Sequence, residues 1–140
     1  TLLTWMAERR SSVFLVATAN DIERLPPELL RKGRFDEIFF VDLPDAATRA
    51  EIFGLHLDRR NLPREGIDLS AVAAAADGYS GAEIEQVIVS ALYAAHAAQA
   101  GIDTHALMQA VRDTRPLSVL MAEQVQALRA WALPRTVPAD

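Results

Sequence analysis

The chain has 140 residues, a formal net charge of −5, 51% apolar residues and 24% charged residues. It suits one domain, or a small domain with a piece of another, and it is long enough to bury a core and too apolar for disorder. With no cysteine and only three scattered histidines (His56, His96 and His105), a disulfide framework, a thiolate zinc site and a histidine metal cluster are excluded. No apolar run reaches membrane-spanning length and no signal peptide opens the chain, so the sequence reads as cytoplasmic. The acidic balance argues against general nucleic-acid binding, although a local basic patch escapes that argument.

Residues 1 to 9 resemble the end of a helix, broken at Ser11-Ser12. "VFLVATAN" follows as an unbroken apolar, β-branched run that predicts a strand over 13–18, covered on both faces as in a parallel sheet. It ends at Thr18-Ala19-Asn20, and the carboxyl ends of such strands are where α/β sheets bind ligands. A loop closed by Pro26-Pro27 leads to a short predicted helix over 28–32, stopped by Gly33. "EIFFVDLP" predicts a second short buried strand over 37–41, ended by Pro44.

Beyond Pro44 the pattern turns helical. Asp45 caps a predicted helix to about Arg59, and Asp68 opens a short one through Ala76, ended by Gly78. "SGAE" at 80–83 has the form of a capping box. The helix after it carries Ile84, Val87, Ile88, Ala91, Leu92 and Ala95 as one apolar stripe and is expected to end at Gly101. Further helices are predicted over 103–113 and about 118–131, before a proline-rich tail. The expected organisation is an α/β piece over 1–44 and an α-helical piece over 45–140.

The segment "ELLRKGRF" packs Arg31, Lys32 and Arg34 around Gly33 in an acidic protein. Arginine suits phosphate through its planar fork and permanent charge. By itself such a knot reads as a solvated basic turn, or as cations set at the C-terminal end of a helix. Asn20 alone reads as a strand-ending turn residue.

Taken together and in order, "VATAN", "LPPELLRKGRFDEIFFVDLP" and "DGYSGAEIEQVI" closely resemble the AAA family of ATPases. They match, respectively, its sensor-one strand, its second region of homology with the arginine fingers, and the start of its lid helix. Ala19, Asp21-Ile22 and Lys32 depart from the usual pattern and mark a divergent bacterial branch. The resemblance implies the tail of a parallel-sheet AAA+ nucleotide-binding domain followed by an all-α lid subdomain.

It also implies roles. Asn20 would position the attacking water against the γ-phosphate. Arg31 and Arg34 would reach into the nucleotide site of a neighbouring subunit, where fingers supplied in trans are worth ~10³–10⁵ in rate. Ile52 and His56, one turn apart, would lie near adenine and ribose, and Gly81 and Ala82 would set a helix N-terminus against the nucleotide. The plainer alternatives are core packing for Ile52 and a surface position for His56. The implied cofactors are ATP and Mg²⁺, with no metal ligand in this chain. The implied partners are further copies in a ring, hexameric in the family's manner, and a protein substrate that the sequence does not identify.

No G-x-x-x-x-G-K-[ST] phosphate loop occurs in the sequence, nor an apolar strand ending in paired acids. In the family both precede the sensor strand, so the Mg²⁺ ligands are expected upstream. The expectation is an ATPase as part of a longer chain, coupling hydrolysis to remodelling of a macromolecular substrate, with the 140-residue chain alone inactive. The alternative is an AAA-derived interaction module that docks on a partner ATPase and supplies Arg31 and Arg34 to it. A nucleic-acid-remodelling ring is a third reading with no feature of its own here. The family's sheet order also implies that strands 13–18 and 37–41 lose a shared neighbour, leaving their edges open.

Overall fold

A computed structural model of the chain describes residues 4, 5, 8, 12–19, 21, 24–29 and 35–139. Two compact units are present, Thr1–Val41 with Ala127–Asp140, and Asp42–Gln126. The sequence expectation carried the helical piece from 45 to the C-terminus; in the structure the chain end groups with the N-terminal residues instead.

The second unit is a helical bundle. Its elements are α1 (Ala46–Arg59), α2 (Leu69–Ala75), α3 (Gly81–Ala97), α4 (Thr104–Asp113) and α5 (Leu117–Leu120), and the boundary between units falls within α6 (Ala122–Ala132). Each of the first four helices begins where a short polar side chain satisfies otherwise orphaned backbone N–H groups. Asp45 accepts from the Thr48 N–H at 2.8 Å, Asp68 from Ala71 at 3.0 Å and Asp103 from Ala106 at 2.7 Å. Ser80 and Glu83 form the reciprocal capping box that the sequence predicts.

The apolar stripes close on one another. Phe53 and Leu57 of α1, Val72 of α2, Ile84, Val87 and Ile88 of α3, and Leu107 of α4 are fully buried in a single cluster. At about 25 cal/mol per Å² of apolar surface removed from water, seven such side chains give this unit its main driving force.

Several boundaries differ from expectation, and the strand expected to be buried over 37–41 is reduced to Phe39–Phe40, with Phe39 and Val41 exposed. The third helix stops at Ala97, with Gln99 at φ 52° completing its C-terminal turn, so Gly101 lies beyond the end rather than at it. The final predicted helix is two helices, separated at Met121. The predicted helix over 28–32 is met, among the described residues, by a turn in which the Leu29 N–H donates to Pro26 O at 2.9 Å; its remaining positions lie outside the described residues.

In the first unit, Thr4, Trp5 and Glu8 are helical. The sheet is small and parallel: β1 (Phe39–Phe40) pairs with β2 (Val137–Pro138), Phe39 opposite Val137 and Phe40 opposite Pro138. Val137 donates its N–H to Ile38 O at 2.9 Å and Ala139 donates to Phe40 O at 3.2 Å. Because alternate residues of a strand bond to the same side, Pro138 sits between those two donors and its missing N–H costs this ladder nothing. The sequence expectation had no strand in this tail.

The strand expected over 13–18 is a correction. Residues 12–19 run as irregular backbone, with Phe14 at 93% and Val16 at 73% exposure. The apolar run reads as a buried strand, but a buried strand needs neighbours that bond both its edges and cover both its faces. Among the described residues the sheet consists of β1 and β2, and neither pairs with this run. In outline, the α/β tail followed by a helical lid is the architecture observed.

Candidate nucleotide-facing site

The helical unit brings three of the predicted residues into one place. Gly81 opens α3, and a Cβ built on it would meet one neighbouring atom within 4 Å, Ile52 Cδ1 of α1, at 3.9 Å. Ile52 itself packs half-buried against the core. One turn further along α1 lies His56, its side chain 13% exposed. Ala82 is exposed on the first turn of α3. An apolar side chain, a ring with polar nitrogens and a helix start with no Cβ in the way thus share the seam between α1 and α3.

The turn that opens α3 is held from several directions. The Ser80 N–H and hydroxyl both donate to Glu83 Oε2 at 2.8 Å, and the Glu83 N–H donates to Ser80 Oγ at 3.3 Å. The other Glu83 oxygen accepts the Leu117 N–H at 2.5 Å, which ties the box to the start of α5. Partial burial works against ionisation of Glu83, but the hydrogen bonds from Ser80 and Leu117 outweigh it and hold the carboxyl below its usual pKa. Ser118 Oγ donates to Gly78 O at 2.5 Å. Gly78 has φ +77°, and a Cβ there would lie 2.6 Å from Ser118 Oγ, so glycine is required on two counts.

Below the turn, buried Tyr79 shares its hydroxyl proton between Val111 O at 2.7 Å and Thr114 O at 2.5 Å. Burial, and then the nearby Glu83 carboxylate, push its pKa up, which keeps it a donor. "GYS" is therefore a turn clamped by the last turn of α4 and the residues that follow it.

Along the seam from Gly81 lies a charged group that sequence reading missed. Arg60 Nη2 donates to Glu85 Oε1 at 2.7 Å, and Arg60 Nη1 lies 3.3 Å from both His56 Nδ1 and His56 O. Glu85 Oε1 is 3.7 Å from His56 Nδ1. The Arg60 hydrogen bond, reinforced by the charges of His56 and Arg59 and opposed by desolvation, lowers the Glu85 pKa. The sequence signal was available: Arg60 follows His56 by four residues and Glu85 follows Gly81 by four, one turn along each helix.

Arg49 was missed too. It is 5% exposed on α1. Its guanidinium donates to Ala73 O at 2.9 Å and Pro44 O at 2.8 Å and pairs with Asp77 at 3.2 Å. It pins the entry of α1 to the end of α2, which is a structural task.

Asn20, Arg31 and Arg34 lie outside the described residues. Among the described residues no group of three or more histidine, cysteine, aspartate or glutamate side chains could hold a metal ion, and no helix is long and apolar enough to cross a membrane.

A small parallel sheet, then a helical unit whose boxed third helix opens against the first, is the arrangement of a lid joined to the tail of a nucleotide-binding core. The chain belongs to the AAA family: residues 1–43 match the model described as ATPase family associated with various cellular activities (AAA), and residues 66–103 match that of the AAA+ lid domain.

Among the relatives is the protein named "Uncharacterized AAA domain-containing protein ycf46" of Pyropia yezoensis, 42% identical over 133 residues, which is 94% of this chain and 27% of that protein. The protein of the same name from Guillardia theta is 41% identical over 133 residues, 94% of this chain and 26% of the relative. The "Proteasome-activating nucleotidase" of Saccharolobus islandicus (strain M.14.25 / Kamchatka #1) is 42% identical over 84 residues, 60% of this chain and 21% of the relative. The chain spans about a quarter of the length of the curated relatives it matches.

Proposed function

We propose that this chain is the lid-bearing portion of an ATPase that works as a ring and spends ATP on remodelling a macromolecular substrate. The observation that carries the reading is the α1–α3 seam. Gly81, which carries no Cβ of its own, faces Ile52 Cδ1 at van der Waals range, and His56 follows one turn along. Family membership supports the general activity, and the name of the Saccharolobus islandicus relatives, proteasome-activating nucleotidases, supports nucleotide use.

The residues present suit the base and sugar of ATP. Ile52 offers an apolar surface for a purine face, Gly81 and Ala82 leave the backbone approachable, and His56 supplies a polar contact. The sequence contains no phosphate loop. The Mg²⁺ ligands and the phosphate cradle therefore belong to another part of the protein, and bound Mg·ATP would supply the phosphoanhydride whose hydrolysis drives the work. Asn20, by the family pattern, orients the attacking water. Arg31 and Arg34 stabilise charge on the transferring phosphoryl group of a neighbouring protomer.

The test is a mixed-ring assay on the polypeptide that contains the phosphate loop. Subunits carrying Arg31→Ala and Arg34→Ala are mixed with subunits whose phosphate-loop lysine is replaced. Activity restored in the mixture supports fingers acting in trans, and additive loss with no restoration refutes it. Steady ATP turnover by the isolated 140-residue chain would refute the division of labour.

A further inference from the structure

Arginine has donors only, so a guanidinium nitrogen 3.3 Å from a ring nitrogen forms a hydrogen bond with it when that nitrogen is the acceptor. Arg60 Nη1 stands in that relation to His56 Nδ1, while its Nη2 is anchored on Glu85 Oε1 at 2.7 Å. A proton on Nδ1 would face the N–H groups of a permanent cation. That pairing favours a neutral His56 with its proton on Nε2. The groups that bear on this ring are Arg60 from its own helix end and Glu85 from α3; Arg59 acts on Glu85, and Asp58 is engaged by Arg64.

We propose that Arg60 and Glu85 are positioning residues that hold His56 as its Nε2–H tautomer. The ring then presents one N–H donor to an acceptor of the bound nucleotide, a sugar oxygen or a purine ring nitrogen. This rests on the nucleotide reading given above. Removal of Arg60 reverses the preference, because the nearest charged group to Nδ1 becomes the Glu85 carboxylate at 3.7 Å, an acceptor that draws the proton to Nδ1. Arg60 and Glu85 lie at the surface end of the seam, outside the buried cluster, so their replacement leaves the core intact.

The experiment is long-range ¹H–¹⁵N correlation of the histidine rings in the ¹⁵N-labelled 140-residue chain at about pH 8, where an ordinary histidine is neutral. The expected result is a pyridine-like Nδ1 and pyrrole-like Nε2 for His56 in the native chain. The pattern should exchange in Arg60→Met and return in Arg60→Lys, which keeps a donor. A pyrrole-like Nδ1 in the native chain overturns the proposal, as does a folded Arg60→Met chain with an unchanged pattern. Arg60→Gln gives the same comparison should Arg60→Met fold poorly.

In the polypeptide with its phosphate loop, Arg60→Met should raise the Kd for a fluorescent ATP analogue roughly tenfold. A tautomer exchange with no change in that Kd overturns the donor role and leaves the nucleotide reading standing. Failure of the native polypeptide to bind the analogue at all sinks the nucleotide reading instead.

Discussion

Two apolar stretches of this chain meet opposite fates. In α3, Ile84, Val87, Ile88 and Ala91 are almost wholly buried, whereas in residues 12–19 Phe14 and Val16 face solvent. Both are rich in side chains that leave water readily. The difference lies in what each conformation demands. A helix satisfies its own backbone and needs one apolar face covered, which α1, α2 and α4 supply from nearby sequence. A central strand must also be bonded along both edges by segments that are distant in sequence or belong to another part of the protein.

The contrast is sharpest by core truncation. Phe53→Ala should destabilise the helical unit by about 3–5 kcal/mol in chemical denaturation, whereas Phe14→Ala should stay within about 0.5 kcal/mol. Equal effects would mean that residues 12–19 share a core with the bundle. Next comes Arg49. Its replacement by alanine strands the Pro44 and Ala73 carbonyls in a buried place and should cost about 2–3 kcal/mol, read from the same denaturation curves.

Gly78→Ala should cost about 1–2 kcal/mol, through its positive φ and the contact with Ser118. Because Ser118→Ala removes the contacting oxygen, the double variant should lose less than the sum of the singles. Strict additivity would show that Ser118 does not crowd the turn.

The smallest effect is that of pH. Asp45, held down chiefly by the Thr48 N–H, Asp58 by Arg64, Glu85 by Arg60, and Glu83 by hydrogen bonds that overcome burial all have lowered pKa values in the folded unit. Groups depressed on folding add stability that is full above their unfolded values and lost as pH falls through their folded ones. The thermal midpoint of the helical unit should be level above about pH 5 and decline below about pH 4. A midpoint that rises on acidification to pH 4 would contradict these assignments.

What was legible in the sequence follows the same division. Asp45, Asp68, Ser80 with Glu83, and Asp103 announce helix starts because a cap is decided within four residues. Ile52, His56 and Gly81 could be brought together through family resemblance, and the structure puts them on one seam. Arg60 and Glu85 were not singled out, since their meeting joins two helices 25 positions apart in sequence. The break at Met121 lacks a glycine or proline to mark it, and β2 was hidden by the proline it contains. Asn20, Arg31 and Arg34 belong to residues that the structure does not describe, and the mixed-ring experiment addresses the two arginines.

Pro138 makes the small sheet directional. The N–H groups of Val137 and Ala139 are spent on Ile38 and Phe40, and the residue between them, the one turned to the opposite side, has no hydrogen to give. The outer margin of β2 is therefore a poor template for another extended chain, and any lengthening of the sheet has to proceed from the flank of β1. One imino acid near the C-terminus thus acts as a selvedge, deciding from which direction further strands can be woven on.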